Sequence, residues 1–399
     1  MDRPADKNNE RIVPFHRPSI TRAEIEAVVA ALESGWLTTG PRAREFEAEF
    51  AAYVGARHAI AVTSCTAALH LALEAAGVAA GDEVLTTPMT FAATAEVVRY
   101  FDAVPVFVDV DDATLNIDPA RLDAALAARR AAGGHVKAVI PVHYGGHPCD
   151  MDAILELARA HGLAVVEDAA HALPAVTGGR MVGAIGDITC FSFYATKTIT
   201  TGEGGMVTTD DEAFARRMRM MTLHGIDRDA WDRYAGTGSW YYEIVAAGFK
   251  YNLSDIAASL GLVQLRRADE LRARRAAIAA RYTAAFASEP ALTPPVELPG
   301  VGHSWHLYTL RLDPDALGIG RDRFIEELRG RGVGTSVHFI PLHIQPYYRQ
   351  LYGYQPEDLP VAYGNYQRII SLPIYPEMTA EDVDHVIEAV LAVTSAFRR

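Results

Sequence analysis

A carboxylate and a lysine draw attention in this sequence because each closes a run of residues typical of a protein interior. Asp168 follows the apolar pair Val165 and Val166, and Lys197 closes the aromatic and serine-containing stretch 191–197. A lysine amine can form a Schiff base with an aldehyde, and a carboxylate can keep a pyridine nitrogen protonated. The two residues together predict a site for pyridoxal phosphate (PLP), with Lys197 and Asp168 as its catalytic residues.

Each of these residues also has a simpler interpretation. Asp168 could cap the helix that follows its strand, and Lys197 could be a solvated surface lysine. The aromatic residues just before Lys197 favour a desolvated amine, because burial lowers the pKa of a lysine. Glu167 should point to the opposite side of the strand, so it is less suited than Asp168 to contact the cofactor.

The segment from Ser64 to Thr66 follows a predicted strand and opens a predicted helix. Free N–H groups and the helix dipole make such a start an anion site, although a plain helix cap by Ser64 or Thr66 fits equally well. The Ser192 hydroxyl could reach the same phosphate. Phe91, just beyond another strand, could stack on the pyridine ring, but aromatic residues lie more often in a core.

Four histidines occur in two pairs that are poor candidates for a metal site. The glycines between His143 and His147 break any helix, so the two rings cannot share a helical face. His338 and His343 are equally poor as a metal pair. They could contact a substrate or be structural histidines, and we expect no metal.

Short strands and helices alternate through the first half of the chain. The predicted strands are His58–Thr63, Val84–Thr87, Val104–Val108, Ala138–Val142 and Ala164–Glu167. The predicted helices are Thr21–Leu32, Phe46–Tyr53, Thr66–Ala76, Thr94–Phe101, Leu122–Arg130 and Ile154–His161. Continuous apolar strands separated by helices predict an α/β fold with a largely parallel sheet covered on both faces.

The pattern changes after residue 266. A long helix is predicted over Ser254–Ser288, with room for one break. Beyond it the predicted strands are Ser304–Leu312 and Gly334–Phe339, and the predicted helices are Arg321–Arg329 and Ala380–Phe397. We therefore predict a large domain over residues 20–265 and a smaller C-terminal α+β domain over residues 266–399, with residues 1–19 packing near the smaller one.

Composition limits the class of protein. The formal net charge of −13 argues against a nucleic-acid partner, because phosphate binding requires a basic surface. No apolar run is long enough to span a membrane, and the polar start does not resemble a signal peptide. Three cysteines without CxxC spacing predict a reducing, cytoplasmic location.

With these residues assembled, nearly the whole chain resembles the DegT/DnrJ/EryC1/StrS family of PLP-dependent sugar aminotransferases. The resemblance runs from Gly-Trp-Leu-Thr-Thr-Gly-Pro at 35–41 to Ser-Leu-Pro-Ile-Tyr-Pro at 371–376, and includes residues 66–73 and 248–255. It implies fold type I, the fold of aspartate aminotransferase. It also implies a homodimer in which two subunits share each active site.

The resemblance assigns roles to individual residues. Lys197 would carry PLP, and Asp168 would pair with the pyridinium nitrogen. The other cofactor contacts that it implies are Cys65, Thr66 and Ser192 at the phosphate, Asn252 reaching that phosphate from the second subunit, Phe91 on the ring face and His171 near the phenolic oxygen. Many relatives have glycine where this chain has Cys65, which is tolerable if the contact is made by the backbone N–H. The candidate substrate contacts are Thr38, Lys250, His338 and His343.

Residues Gly332 to Tyr348 look like the branch of the family that aminates C4 of a nucleotide-linked 4-keto sugar. We therefore expect a cytoplasmic aminotransferase that uses L-glutamate as amino donor. One alternative is a PLP-dependent sugar dehydratase on the same scaffold. Another is a non-catalytic regulator, which the acidic charge and the intact Asp168 and Lys197 pair disfavour.

Overall fold

The computed structural model describes residues 11–227 and 241–399. Its strands are β1 His58–Val62, β2 Glu83–Thr86, β3 Val104–Phe107, β4 Val136–Ile140, β5 Ala164–Asp168, β6 Val176–Thr177, β7 Arg180–Met181, β8 Ile188–Ser192, β9 Gly205–Thr209, β10 Leu292–Thr293, β11 Val301–Gly302, β12 Tyr308–Leu312 and β13 Ile369–Leu372. Its α-helices are α1 Arg22–Glu33, α2 Pro41–Val54, α3 Cys65–Ala75, α4 Ala92–Arg99, α5 Pro119–Ala131, α6 Met151–His161, α7 Glu212–Met221, α8 Asp255–Arg266, α9 Ala268–Phe286, α10 Arg321–Gly330, α11 Pro346–Tyr352, α12 Pro360–Arg368 and α13 Ala380–Phe397.

Within the described residues, seven strands form the main sheet in the order β1-β9-β8-β5-β4-β2-β3. The five adjacent strands β3, β2, β4, β5 and β8 are parallel, in line with the predicted largely parallel sheet. In contrast, β9 runs antiparallel to both β8 and β1. The sequence analysis did not identify β8 or β9. The carboxyl ends of β5 and β8 lie side by side, because Asp168 pairs in register with Cys190.

Both faces of this sheet are covered by apolar side chains. Val165 packs in a cluster with Phe46 and Phe50 on one face, and its neighbour Val166 packs with α3 residues such as Leu69 on the other. Successive strand residues point to opposite faces, so two buried neighbours require a layer on each side. The sheet is therefore a rigid central layer whose strand ends can hold functional side chains in place.

A second hydrophobic core lies in the C-terminal part of the chain. It includes Tyr308 of β12, Leu372 of β13 and Val13 from the N-terminal segment. Val13 also makes a bridge to Val333, so the described part of the N-terminal segment begins beside this core. Residues 1–10 lie outside the described residues, and the domain boundary near 266 stays a prediction.

The structure corrects two details of the C-terminal half. The predicted helix over Ser254–Ser288 is two helices, α8 and α9, because Arg267 leaves helical geometry. The predicted strand Gly334–Phe339 is wrong, since β13 pairs with β12 instead. Within that segment Ser336 makes an isolated bridge to Ser371 of β13, whereas the His338 carbonyl accepts a hydrogen bond from the Tyr144 hydroxyl, and Pro341 just beyond has no N–H to donate. In the described part of the chain, no helix is both long and apolar enough to cross a membrane.

Candidate active site

Residues at or just beyond the ends of three strands of the main sheet surround one cavity of about 550 Å³. Asp168 ends β5, Ser192 ends β8, and Cys65 opens the helix that follows β1. Eight of the predicted site residues line this cavity, namely Cys65, Thr66, Phe91, Asp168, His171, Ser192, Lys197 and His338. We call it the Lys197 cavity.

Both carboxylate oxygens of Asp168 are held in place. Oδ2 accepts a hydrogen bond from the Thr94 hydroxyl at 2.7 Å, and Oδ1 accepts one from the backbone N–H of Ala170 at 3.1 Å. The side chain is 5% exposed, and no α-helix begins directly after β5. The helix-cap interpretation of Asp168 is therefore wrong, and the carboxylate is fixed toward the cavity.

Lys197 lies in the loop after β8, where its backbone N–H donates to the Tyr194 carbonyl at 2.9 Å. Burial lowers the pKa of Lys197 below its ordinary value, while the nearby Cys65 and Asp168 act in the opposite direction. Phe191 and Phe193 do not cover the amine as expected. Their rings pack on the other side of β8 against the two phenylalanines of α2, so they anchor the loop instead.

The start of α3 combines a helix cap with free backbone donors. The Ser64 hydroxyl accepts a hydrogen bond from the N–H of Ala67 at 3.0 Å, as the cap interpretation predicts. Among the described residues, the N–H groups of Cys65 and Thr66 have no acceptor, so an anion could bind there. The Cys65 thiol contacts the Cys190 carbonyl oxygen at 3.7 Å, and burial raises its pKa. Cys65 therefore offers its backbone rather than its side chain.

Three histidines surround the inner part of the Lys197 cavity. The rings of His171 and His306 lie 4.4 Å apart, and His338 Nδ1 is 2.8 Å from the Ser371 hydroxyl. Burial, together with the charge of Lys197, lowers the pKa of all three and that of His338 to about 4. The three rings are therefore neutral near pH 7 and add no positive charge beside the lysine amine.

The sequence analysis missed His306 and Thr94. His306 lines the cavity from the segment before β12, and Thr94 reaches Asp168 from the first turn of α4. Each is a single polar residue in an otherwise ordinary element. The only available signal was a histidine within the aromatic run 303–308, which does not by itself indicate a site.

A buried polar group lies behind Asp168, on the opposite side of β5. Glu167 points there, as predicted, and its carboxylate accepts hydrogen bonds from Thr189 and the N–H of Gly186, both at 2.7 Å. His143 Nδ1 accepts from the Cys149 N–H, which leaves Nε2 to donate to Glu167 at 2.9 Å. Within the described residues, no group of three or more His, Cys, Asp or Glu side chains could hold a metal.

Three predicted site residues lie together elsewhere on the surface. Asn252 donates a hydrogen bond to the Thr39 hydroxyl at 2.6 Å, and Lys250 donates to the Asn252 side-chain oxygen. Thr38, adjacent to Thr39, is exposed, and its backbone carbonyl accepts a hydrogen bond from the N–H of Asp255. We call Thr38, Thr39, Lys250 and Asn252 the Asn252 cluster. None of the four lines the Lys197 cavity of its own chain, and Asn252 instead faces a separate cavity of about 690 Å³.

His343 also lies away from the Lys197 cavity. Its side chain is fully buried, and Nε2 is 3.3 Å from the Pro356 carbonyl oxygen. The neighbouring Leu342 N–H donates to the Pro88 carbonyl, which fixes the segment that carries His338 and Phe339. The position of His343 agrees with the structural interpretation that the sequence left open.

The geometry and the similarity to solved structures define an aminotransferase of fold type I. A putative sugar aminotransferase from Streptococcus pneumoniae, solved in PMP and PLP forms, has 34% identity and a TM-score of 0.88, with 96% of this chain and 99% of that chain covered in the PMP form. The aminotransferase PseC from Helicobacter pylori, involved in pseudoaminic acid biosynthesis, has 29% identity and a TM-score of 0.88, with 97% of this chain and all of that chain covered.

Among curated sequences, the spore coat polysaccharide biosynthesis protein SpsC of Bacillus subtilis is 51% identical, with 96% of this chain and 97% of that protein covered. Residues 18–391 match the profile of the DegT/DnrJ/EryC1/StrS aminotransferase family, and the chain belongs to this family. The predicted family and fold class are thus confirmed. The protein is an aminotransferase of a family whose solved neighbours include sugar aminotransferases.

Proposed function

We propose that the protein transfers an amino group from L-glutamate to C4 of a nucleotide-linked 4-keto sugar, with PLP bound in the Lys197 cavity. One observation carries the proposal. A lysine with a lowered pKa and a fixed buried carboxylate face the same cavity, with free N–H groups of a helix start at its edge. This is the set of groups that PLP requires.

The shape of the site supports PLP binding. Packing around the helix start is tight, because a Cβ atom on Gly205 would lie 2.6 Å from the Ser64 carbonyl. The Cys65 and Thr66 N–H groups and the Ser192 hydroxyl would hold the phosphate, and Phe91 would cover a ring face. His171 Nδ1 accepts from the Gly145 N–H, so Nε2 is free to donate toward the phenolic oxygen.

PLP, when bound, supplies an electron sink for the pair of electrons released at the donor or sugar carbon. The chain itself moves the protons. Burial favours the neutral amine of Lys197, whose Nζ can take the α-proton of glutamate as a general base and later return a proton to the sugar carbon. Asp168 would face the pyridine nitrogen, and the hydrogen bonds from Thr94 and Ala170 hold its carboxylate in that direction.

We further propose a homodimer in which the Asn252 cluster serves the Lys197 cavity of the other subunit. Within one chain, Asn252 and Lys250 are linked to each other and to Thr39, apart from the Lys197 cavity. A polar, partly exposed cluster that includes a lysine is suited to an anionic ligand held by a neighbour. A cytoplasmic location is supported by the three cysteines, which are all free thiols.

The substrate class is supported by similarity. Relatives named for spore coat polysaccharide and pseudoaminic acid biosynthesis point to a sugar, and residues 332–348 resemble the branch that aminates C4. The nucleotide linkage, the position C4 and the glutamate donor belong to the proposal.

The experiment has two parts. Purified protein with PLP is mixed with L-glutamate, and the absorbance change from PLP to pyridoxamine phosphate is followed. The product protein is then given a panel of UDP- and dTDP-linked 4-keto sugars, and products are identified by mass spectrometry and NMR. An amine at C4 supports the proposal. A product that has lost water and gained no nitrogen would establish the dehydratase instead.

A further inference from the structure

The segment that carries Lys197 depends on side chains from elsewhere for part of its hydrogen bonding. We call residues 194–200 the Lys197 loop. The loop belongs to no helix or strand, and in the described part of the chain no backbone N–H donates to the carbonyls of Ala195 and Thr198. These two carbonyls flank Lys197 in the sequence. The groups that satisfy them therefore also fix the backbone from which the lysine side chain leaves.

Two side chains from distant parts of the sequence supply the donors. His16, in the N-terminal segment, donates from Nε2 to the Ala195 carbonyl at 3.1 Å. Arg275 of α9 donates from Nη1 to the Thr198 carbonyl at 3.3 Å. Burial and the charge of Arg275 lower the pKa of His16 to about 4, so the ring is a neutral donor near pH 7. Neither residue lines the Lys197 cavity, so both hold the backbone behind the lysine.

Arg275 is an unfavourable residue for folding at this position. It is 2% exposed, and its Nε has no hydrogen-bond partner among the described residues. Burial lowers its pKa to about 10, and no carboxylate acts in the opposite direction. A buried charge without a counter-charge destabilises a protein, and an apolar side chain of similar length is often better tolerated. The contact of Arg275 with the Lys197 loop therefore indicates a functional role.

The low pKa of Lys197 depends on keeping its amine out of water. Burial lowers this pKa, whereas the nearby Cys65 and Asp168 raise it. The other titratable groups that line the cavity are the exposed Tyr194 and Glu203 and the neutral rings of His171, His306 and His338. If the loop opened, water would reach the amine and the protonated form would be favoured. The position of the loop thus controls how much neutral amine is available.

We propose that His16 and Arg275 are positioning residues for Lys197, because their hydrogen bonds to Ala195 and Thr198 hold the Lys197 loop closed and the amine inside the cavity. The inference rests on the role proposed above for Lys197 and adds what fixes its direction. Arg275 lies in the predicted smaller domain, and His16 lies in the segment predicted to pack near it. The reacting lysine is therefore held from outside the sheet that carries Asp168.

The first test is hydrogen–deuterium exchange of the PLP-loaded protein. Arg275→Met removes one donor but keeps a long apolar side chain, and His16→Ala removes the other donor from a half-buried position. Each should speed exchange in peptides covering residues 194–200 about tenfold, the effect of one lost hydrogen bond, and leave exchange in β5 unchanged. The melting temperature of Arg275→Met should equal or exceed that of wild type, since a buried charge is removed.

Arg274→Met is the matched control. Arg274 is the neighbouring residue of α9, and its half-exposed side chain pairs with Glu270 at 2.8 Å. This variant should leave exchange in the Lys197 loop as in wild type. Faster exchange over the whole chain together with a lower melting temperature, in both Arg275→Met and His16→Ala, would show a purely structural role and overturn the inference.

The second test measures the lysine itself. PLP is added to cofactor-free protein, and the rate at which it links to Lys197 is followed by absorbance from pH 6 to pH 10, since only the neutral amine reacts. The midpoint of this profile should rise by about one unit in Arg275→Met and in His16→Ala. Arg275→Lys and His16→Asn each keep an N–H donor and should restore most of the shift. The same midpoint in wild type and both donor-free variants would overturn the inference.

Failure of the inference and failure of the proposed function give different results. If peptide mass spectrometry finds PLP on another lysine of wild type, the role proposed for Lys197 fails, and hydrogen exchange still decides whether the two side chains hold the loop. If PLP links to Lys197 but neither variant changes the exchange or the midpoint, the positioning role is refuted and the proposed function stands.

Discussion

The Lys197 cavity and the Asn252 cluster contrast in how one chain builds them. In the cavity, Asp168 ends β5 and its carboxylate is held by two donors, and the buried amine of Lys197 belongs to the loop after β8. In the cluster, Lys250 is exposed and is held through Asn252, which in turn donates to Thr39. The comparison teaches that one chain holds Asp168 and the Lys197 loop in place by itself, whereas the Asn252 cluster lies partly exposed and apart from that cavity.

Burial explains the functional difference. Removing the lysine amine from water lowers its pKa and makes the neutral form available, which an exposed lysine does not achieve. A carboxylate held by two donors does not have to reorganise during the reaction. On the proposed function, the chemistry takes place in the cavity and the Asn252 cluster holds an anion.

The largest expected effect comes from Lys197→Ala. It should abolish turnover and remove the covalent link that borohydride reduction creates between PLP and the protein, because no other lysine lines the cavity among the described residues. Peptide mass spectrometry of reduced wild type should find the cofactor on Lys197. Lys250→Ala is the comparison variant and should keep that link. Cofactor found on Lys250 would reverse the contrast between the two regions.

Asp168→Asn should lower turnover by orders of magnitude with little change in side-chain volume. The amide cannot stabilise a protonated pyridine nitrogen, so the ring loses much of its capacity to accept electrons. The measurement is the rate of the absorbance change with L-glutamate at saturating PLP. Circular dichroism and the melting temperature control for folding. A rate within threefold of wild type would show that Asp168 does not pair with the cofactor.

Asn252→Ala should weaken PLP retention about tenfold, the cost of one hydrogen bond to a charged group. Mixing it with Lys197→Ala subunits tests whether a site is shared. The site on the Asn252→Ala chain then has its lysine and receives an intact Asn252 from its partner, so a minority of active sites should recover. No recovery, with subunit exchange shown by native mass spectrometry, would assign both residues to one chain's site.

The smallest effect on the reaction is expected from Glu24→Gln. Glu24 lies in α1 and accepts a hydrogen bond from Gln264 of α8, the helix that follows the Asn252 cluster. Burial by itself would raise the pKa of Glu24, but hydrogen bonds from Thr21, Arg267 and Gln264 lower it to about 2. We expect a loss of about 2 kcal/mol in the free energy of unfolding at pH 7, typical of hydrogen bonds to a charged group.

The sign of its pH dependence follows from the lowered pKa. The native state holds Glu24 ionised more strongly than the unfolded chain does, so the stabilisation is complete above pH 4.5 and disappears as the pH falls toward 2. The difference in melting temperature between wild type and Glu24→Gln should shrink over that interval. A difference that is constant with pH would mean that the charge of Glu24 contributes nothing.

Much of the sheet and part of the site could be predicted because their signals are local. A carboxylate at the end of an apolar strand, as at Asp168, and a serine before a helix, as at Ser64, are patterns of a few adjacent residues. The roles of Cys65 and of the aromatic pair Phe191 and Phe193 were harder to predict from the sequence. Side-chain direction at those positions depends on what packs beside them, which adjacent residues do not specify.

The sequence by itself determined the alternation of strands and helices, the start of α3 and the two residues central to the predicted chemistry. Only the tertiary structure decided that Ile369–Leu372 rather than Gly334–Phe339 pairs with β12, and that His306, His338 and Thr94 meet near Asp168 and Lys197. It also brought His16 and Arg275 to the Lys197 loop. Local sequence encodes periodicity and caps, whereas contacts between residues hundreds of positions apart arise from the packing of whole elements, which no short pattern reports.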